Sequence, residues 1–350
     1  MENDRNERVS AEKPNMGTAE PLLRAEHLKK YFKVKKKGLL HAVDDVSFYV
    51  GEGETLGIVG ESGCGKSTVG NLVMRLLPKT AGELYYRGIN VFQASGEDSM
   101  RLRKKMQIIF QDPFSSLNPR KTIEQILSEA YVIHKIGTKA DIAQKVRDLC
   151  EMVEIPHNLL ERYPHELDGG MRQVVGIARA LSLEADLIVC DEPVSSLDVS
   201  VQAHIINMLM DLQVKMNLSY LFISHDLSVV RHISNRIAVM YLGQIVEMAE
   251  SDEIFQNTMH PYSIALLSAV PVVNIGGGIK QKRIVLQGDV PSPMNPQPGY
   301  RFAPRCWMAH DDCRNSDPPL QEVSPGHCVA CFYAKEARDK SKEIQNNTNI

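Results

Sequence analysis

The chain has no apolar run near the roughly 18 to 20 residues that a bilayer-spanning helix needs, and its longest runs, such as residues 187–190, have the length of buried strands. It is therefore predicted not to cross a membrane. Its first twenty residues, MENDRNERVSAEKPNMGTAE, are polar and acidic where a secretory signal needs a basic start and an apolar segment, which predicts residence in the cytoplasm. Excess charge of either sign is also lacking. The 40 Lys and Arg stand against 43 Asp and Glu, a formal net charge of -3, so no global attraction to nucleic acid or anionic lipid is expected. Cysteine is sparse and uneven. Cys64, Cys150 and Cys190 are scattered, whereas Cys306, Cys313, Cys328 and Cys331 gather near the C-terminus, and in a reducing compartment such a cluster suggests a metal before disulfides.

What is present suits a large folded domain with extras: 350 residues, of which 43% are hydrophobic, provide for a well-buried core. Residues 1–20 carry no apolar periodicity and are expected to be disordered. In the main body, residues 21–260, LLRAEHL and HAVDDVSFYV alternate as half-buried antiparallel strands do, with the basic residues 33–37 between them as an exposed hairpin loop. A short β-prone run, TLGIV, then leads through a glycine-rich turn into the helical pattern VGNLVMRLL. Across about residues 113–172 the segments TIEQILSEAYVIHKI and KADIAQKVRDLCEMVEI repeat apolar residues at three-to-four spacing, which predicts an inserted helical subdomain. Helices VVGIARAL and VQAHIINMLMDLQVKM then alternate with strands DLIVCDE, SYLFISH and IAVMYL, the order of a parallel sheet with crossover helices in a three-layered α/β core. Residues 261–335 are rich in proline and glycine, including NIGGGI and VPSPMNPQPG, and read as a separate C-terminal extension; residues 336–350 read as a polar tail.

Gly60-Glu61-Ser62-Gly63-Cys64-Gly65-Lys66-Ser67-Thr68 satisfies G-x-x-x-x-G-K-[ST] between a predicted strand and a predicted helix. Glycines let such a loop curl so that backbone N–H groups face phosphate oxygens, and the helix adds its positive end. Lys66 is predicted to reach the β and γ phosphates of ATP, Ser67 to ligate Mg²⁺, and Thr68 to hydrogen-bond near the α phosphate; Cys64 reads as a small filler. The strand LIVCDE ends in Asp191 and Glu192, at the edge of a parallel sheet where a phosphate loop lies. Asp191 is predicted to hold Mg²⁺ through water, and Glu192 to accept a proton from the attacking water.

The chain is thus predicted to have a P-loop NTPase core of the RecA-like kind, with an antiparallel β subdomain, an inserted α-helical subdomain and a C-terminal extension. Leu167-Asp168-Gly169-Gly170-Met171-Arg172-Gln173 resembles the signature of the ABC family. The order of Gln111 in FQDP, Asp198 in SSLD and His225 in ISHD is similar too. The resemblance implies that the signature residues Asp168, Gly169 and Gly170 contact the γ phosphate held by a second ATP-binding subunit. It also implies that Gln111 senses Mg²⁺ and the membrane partner, that Asp198 lies in the dimer-contact loop, and that His225 touches the γ phosphate. Phe32 would stack on adenine, with Tyr31 as the alternative.

FQDPFSSLNPR, HPYSIALLSAVP and the cysteine-bearing tail narrow the resemblance to the dipeptide, oligopeptide and nickel importer group. That implies two transmembrane permease subunits, an extracellular solute-binding protein acting indirectly, and a peripheral place on the cytoplasmic face of the membrane. LKKYFKVKKKG and VGESGCGKST look like the second of the two ATPase subunits of such importers, and the Met-Arg after the signature glycines looks like the first. The soluble ABC ATPases of translation or DNA repair commonly carry two cassettes, long coiled coils or zinc modules; this chain has one cassette and neither insertion.

Two features depart from the family pattern. Asp168 stands where the family has serine. A hydroxyl donates to a phosphate oxygen, whereas an ionised carboxylate only accepts and repels; at about 4 Å and an effective dielectric near 20 the repulsion is on the order of 4 kcal/mol. The expectation is an asymmetric heterodimer with a weakened site opposite the partner's loop. The alternative is that Asp168 turns away or binds a proton and both sites work. The relatives can carry an iron-sulfur cluster in the tail, with a cysteine where this chain has Tyr300, so Cys328 would substitute beside Cys306, Cys313 and Cys331. Iron-sulfur, zinc and unligated structural cysteines are the three readings of this cluster.

Overall fold

A computed structural model describes residues 20–270, 283–296 and 298–346. The expected disorder of the first nineteen residues, the NIGGGI stretch and the end of the polar tail lie outside the described residues.

Leu23–Val34 and Gly38–Val50 pair antiparallel from Leu23 opposite Val50 to Val34 opposite Gly38. Their alternation buries Leu23, Ala25, Leu28, Val46, Phe48 and Val50, and Ala81–Tyr86 and Ile89–Asn90 complete a four-stranded sheet. In the larger sheet, Met106–Ile109, Leu187–Asp191, Ser219–Ser224, Thr55–Val59 and Arg236–Tyr241 lie side by side in that order, all parallel. Strands Leu187–Asp191 and Ser219–Ser224 are buried at every position, which is why they read as unbroken apolar runs. Their residues alternate between two cores. Leu187, Val189, Leu221 and Ile223 pack with the antiparallel sheet and the helix Lys66–Val73, while Ile188, Cys190, Tyr220 and Phe222 pack with the helices on the other face. The three layers follow from this alternation.

The stretch expected to be helical contains Ile123–Ile133 and Lys139–Met152, each opened by a reciprocal capping box, Thr122 with Gln125 and Thr138 with Asp141. The extension is less separate than its composition suggests. Gln244–Glu250 pairs antiparallel with Arg236–Tyr241, then His327–Val329 and Gln321–Ser324 add two more strands to the same edge. On the other side the extension returns to the hairpin: His41 N–H donates to Pro293 O and Asn295 N–H to Leu39 O, both at 3.0 Å. Ala334–Asn346, which overlaps the start of the expected polar tail, is helical. The buried His327 secures this junction, its Nε2 lying 2.8 Å from Glu247 Oε1 and its Nδ1 3.3 Å from Glu253 Oε1. Among the described residues no helix is long and apolar enough to cross a membrane.

Candidate functional site

The buried strand Thr55–Val59 delivers the chain to Gly60, and the helix Lys66–Val73 departs from Gly65 at φ 110°. A side chain at Gly65 would put Cβ 2.1 Å from Ala42 O, so only glycine permits the loop to pass the hairpin there. The loop surrounds a cavity of about 910 Å³ whose wall includes Phe32, Gly60, Ser62, Gly63, Gly65, Lys66, Ser67 and Thr68, with Gln111, Glu192 and His225 facing them.

Lys66 is 4% exposed, and its ammonium donates to Gly60 O at 2.9 Å and Glu61 O at 3.1 Å. These bonds keep a buried cation partnered at the base of the loop. Ser67 Oγ donates to Asp191 Oδ1 at 2.8 Å. Burial pushes the Asp191 carboxyl above its usual range, the Ser67 bond opposes the shift, and the neighbouring Glu192 adds to it. A hydroxyl beside a carboxylate is an all-oxygen donor set, which suits Mg²⁺.

Glu192 sits at φ 46°, a left-handed backbone that a non-glycine residue adopts at a cost of order 1 kcal/mol. Its own N–H is held by Ile223 O at 2.9 Å. Gln111 Nε2 donates to Glu192 Oε2 at 2.9 Å, and His225 Nδ1 lies 3.3 Å from Oε1. The cluster therefore joins three residues scattered over more than a hundred positions of sequence.

Other sequence-predicted residues lie elsewhere. Asp168, Gly169, Gly170 and Asp198 do not line the cavity. Asp168 caps the helix Gly169–Leu181, its Oδ1 accepting from Met171 N–H at 2.7 Å, and Asp198 caps Val199–Met216 through Val201 N–H at 3.0 Å. Of the two aromatic candidates, Phe32 lines the cavity, whereas Tyr31 stacks on His41 at 3.9 Å and bonds Asp44. Sequence reasoning missed His41, Leu266, Pro293 and Glu61 in the wall. Leu266 falls in HPYSIALLSAVP and Pro293 in VPSPMNPQPG, segments singled out for other reasons.

Of the three readings of the cysteines, the two metal readings find no support among the described residues. Cys306, Cys313 and Cys331 line a narrow cavity with Tyr300 and Phe302, whereas Cys328, in the strand His327–Val329 between Met248 and Glu322, does not line it. Burial pushes the Cys306 thiol up to about 11 and the Cys331 thiol up to about 12. Tyr300, where the resemblance implies a cysteine, is buried, its hydroxyl 2.6 Å from His260 Nε2. Among the described residues no group of three or more His, Cys, Asp or Glu side chains could hold a metal ion.

Two family descriptions match the chain: ABC transporter over residues 43–195, and oligopeptide/dipeptide transporter, C-terminal region, over residues 246–313. The oligopeptide transport ATP-binding protein AppF of Bacillus subtilis is 49% identical over 319 residues, covering 89% of this chain and 97% of that protein. The dipeptide transport ATP-binding protein DppF of Haemophilus influenzae is 48% identical over 319 residues, with the same coverage of 89% and 97%. A dimeric ATP-binding cassette, MJ0796, solved in a post-hydrolysis state with ADP and Pi, superposes with a TM-score of 0.60 at 25% identity, covering 65% of this chain and 98% of that one. On its ordered loop, acidic strand end and signature, and on these relatives, the chain belongs to the ABC transporter family, among the ATP-hydrolysing subunits that carry the oligopeptide/dipeptide C-terminal region.

Proposed function

We propose that this chain powers uptake of oligopeptides or dipeptides from the cytoplasmic face of a membrane, as one half of an unequal ATPase pair docked on two permease subunits. The observation that carries the hydrolytic part is Glu192, gripped by both Gln111 and His225 across a cavity floored by the phosphate loop. The peptide cargo is supported by the named relatives.

In this reading the loop N–H groups of residues 60–68 and Lys66 receive the β and γ phosphates, Thr68 lies toward the α phosphate, and Phe32 stacks on adenine. Ser67, Gln111 and, through water, Asp191 would hold Mg²⁺, which would neutralise charge on the phosphates. Glu192 takes the proton of the attacking water at its carboxylate, and Gln111 and His225 orient that carboxylate. Asp168 to Gly170 close over the partner's nucleotide, and Asp198 lies at the contact between subunits.

The asymmetry rests on Asp168. Serine and aspartate cap a helix N-terminus about equally well, so the substitution changes the charge offered to the partner's site without disturbing the helix. The chain's own loop, Glu192 and His225 are complete and would be served by the partner's signature.

Reconstituting the chain with its membrane subunits and second ATPase in proteoliposomes, with the binding protein, tests the reading. ATP-dependent accumulation of labelled di- or oligopeptide is expected. ATP hydrolysis that is indifferent to peptide, with no accumulation, would overturn the peptide assignment.

A further inference from the structure

Glu61, the second residue of the phosphate loop, is held at three points. Its N–H donates to Tyr262 Oη at 3.0 Å, its carbonyl accepts from Lys66 at 3.1 Å, and its carboxylate takes both Nη1 and Nη2 of Arg305 at 2.9 and 3.1 Å. Tyr262 lies on the helix Pro261–Ser268 and Arg305 ends the 3₁₀ turn Ala303–Arg305, so two of the three grips come from the C-terminal extension. Both stand on a rigid base. The Arg305 guanidinium lies 5.8 Å from the centre of the Tyr241 ring, and Tyr241, Tyr262 and Phe302 pack on one another at 4.8 to 5.5 Å.

The charges are arranged with a purpose that packing alone does not require. Glu61 is one of the residues lining the cavity and its side chain keeps 29% exposure, so a carboxylate stands close to a site built for a polyanion. Arg305 is 9% exposed and does not line that cavity; it reaches Glu61 from behind. A forked guanidinium on both carboxylate oxygens cancels the charge without itself competing with Lys66 for phosphate. We propose that Arg305 and Tyr262 are positioning residues through which the extension fixes the phosphate loop and neutralises Glu61, so that the extension sets the affinity for nucleotide in proportion to its negative charge. The inference rests on reading the cavity as the nucleotide site.

Fluorescent (methylanthraniloyl) ATP and AMP, titrated into the full chain, test it. Arg305→Gln leaves the Glu61 carboxylate unpaired and is expected to weaken ATP binding about tenfold at low salt while weakening AMP binding less than about twofold. The ATP defect should shrink as salt rises toward 0.5 M, on the order expected from screening. Glu61→Gln combined with Arg305→Gln removes both charges and should return ATP affinity to within about twofold of wild type. Tyr262→Phe should weaken ATP and AMP alike and independently of salt, because it removes a neutral hydrogen bond. Wild-type ATP affinity in Arg305→Gln, equal losses for ATP and AMP in that variant, or a double variant as weak as the single one would each overturn the proposal. A melting curve on each variant separates misfolding from altered binding, and the double variant is the informative one if Arg305→Gln alone is unstable. Lys66→Ala separates the two readings: if it binds ATP like wild type, the nucleotide site is elsewhere; if it loses ATP while Arg305→Gln does not, only the charge device fails.

Discussion

Gln111 and His225 each hold one oxygen of Glu192, Oε2 at 2.9 Å and Oε1 at 3.3 Å. The three residues follow the carboxyl ends of Met106–Ile109, Leu187–Asp191 and Ser219–Ser224, which are consecutive neighbours in the parallel sheet. Their meeting is a consequence of strand order, because parallel neighbours present the same end to the same edge.

Glu192→Gln keeps the shape and the Gln111 contact but cannot take a proton. Phosphate release should fall about 10²- to 10⁴-fold, the usual worth of a positioned general base, with ATP affinity changed less than about threefold. Parallel stopped-time hydrolysis and nucleotide titrations check this; a variant that hydrolyses at the wild-type rate would remove Glu192 from the reaction.

Phe32 lines the cavity and Tyr31 does not. Phe32→Ala should therefore weaken ATP about tenfold or more, since base–aromatic stacking is worth about 1–3 kcal/mol. Tyr31→Phe, which loses only the bond to Asp44, should leave nucleotide affinity unchanged and lower the melting temperature.

Asp168 separates a folding role from a charge role. Asp168→Ala in the isolated chain should cost about 1 kcal/mol of stability by removing the cap on Met171 N–H, whereas Asp168→Ser should be near neutral. In the assembled pair Asp168→Ser should raise ATP hydrolysis severalfold; an unchanged rate would mean that the carboxylate does not oppose the partner's nucleotide.

The buried His327 predicts a pH dependence. Burial works against its proton, but the bonds to Glu247 and Glu253 outweigh burial and hold its pKa above the ordinary 6.5. A raised folded-state pKa gives stability that is fully present below the unfolded value and is lost as pH rises through the folded one. The melting temperature should decline as pH climbs above 6.5, and His327→Gln should flatten that decline. On the acid side the sign reverses for Glu247. Burial raises its pKa, but hydrogen bonds from His327 and the Met259 N–H hold it below its usual value, so protonating it at low pH costs stability.

The phosphate loop was legible because its nine residues are contiguous and glycine at Gly65 answers a local backbone requirement that no distant contact can alter. Strands such as Leu187–Asp191 were legible because burial on both faces leaves an unbroken apolar run. The cysteine cluster was legible only in part, because nearness in sequence placed Cys328 with Cys331, yet Cys328 is held within the strand His327–Val329 while Cys331, past the strand's end, joins Cys306 and Cys313 around a cavity.

The sequence by itself determined the class of chemistry, since the spacing of loop, acidic strand end and signature is read along the chain. Only the tertiary structure decided what surrounds that chemistry. Arg305 meets Glu61 across 244 residues, and Pro293 reaches the cavity beside Phe32. No local period or turn rule encodes such pairs; they exist because the extension adds strands to the main sheet and returns to the hairpin, bringing distant charges within hydrogen-bonding range.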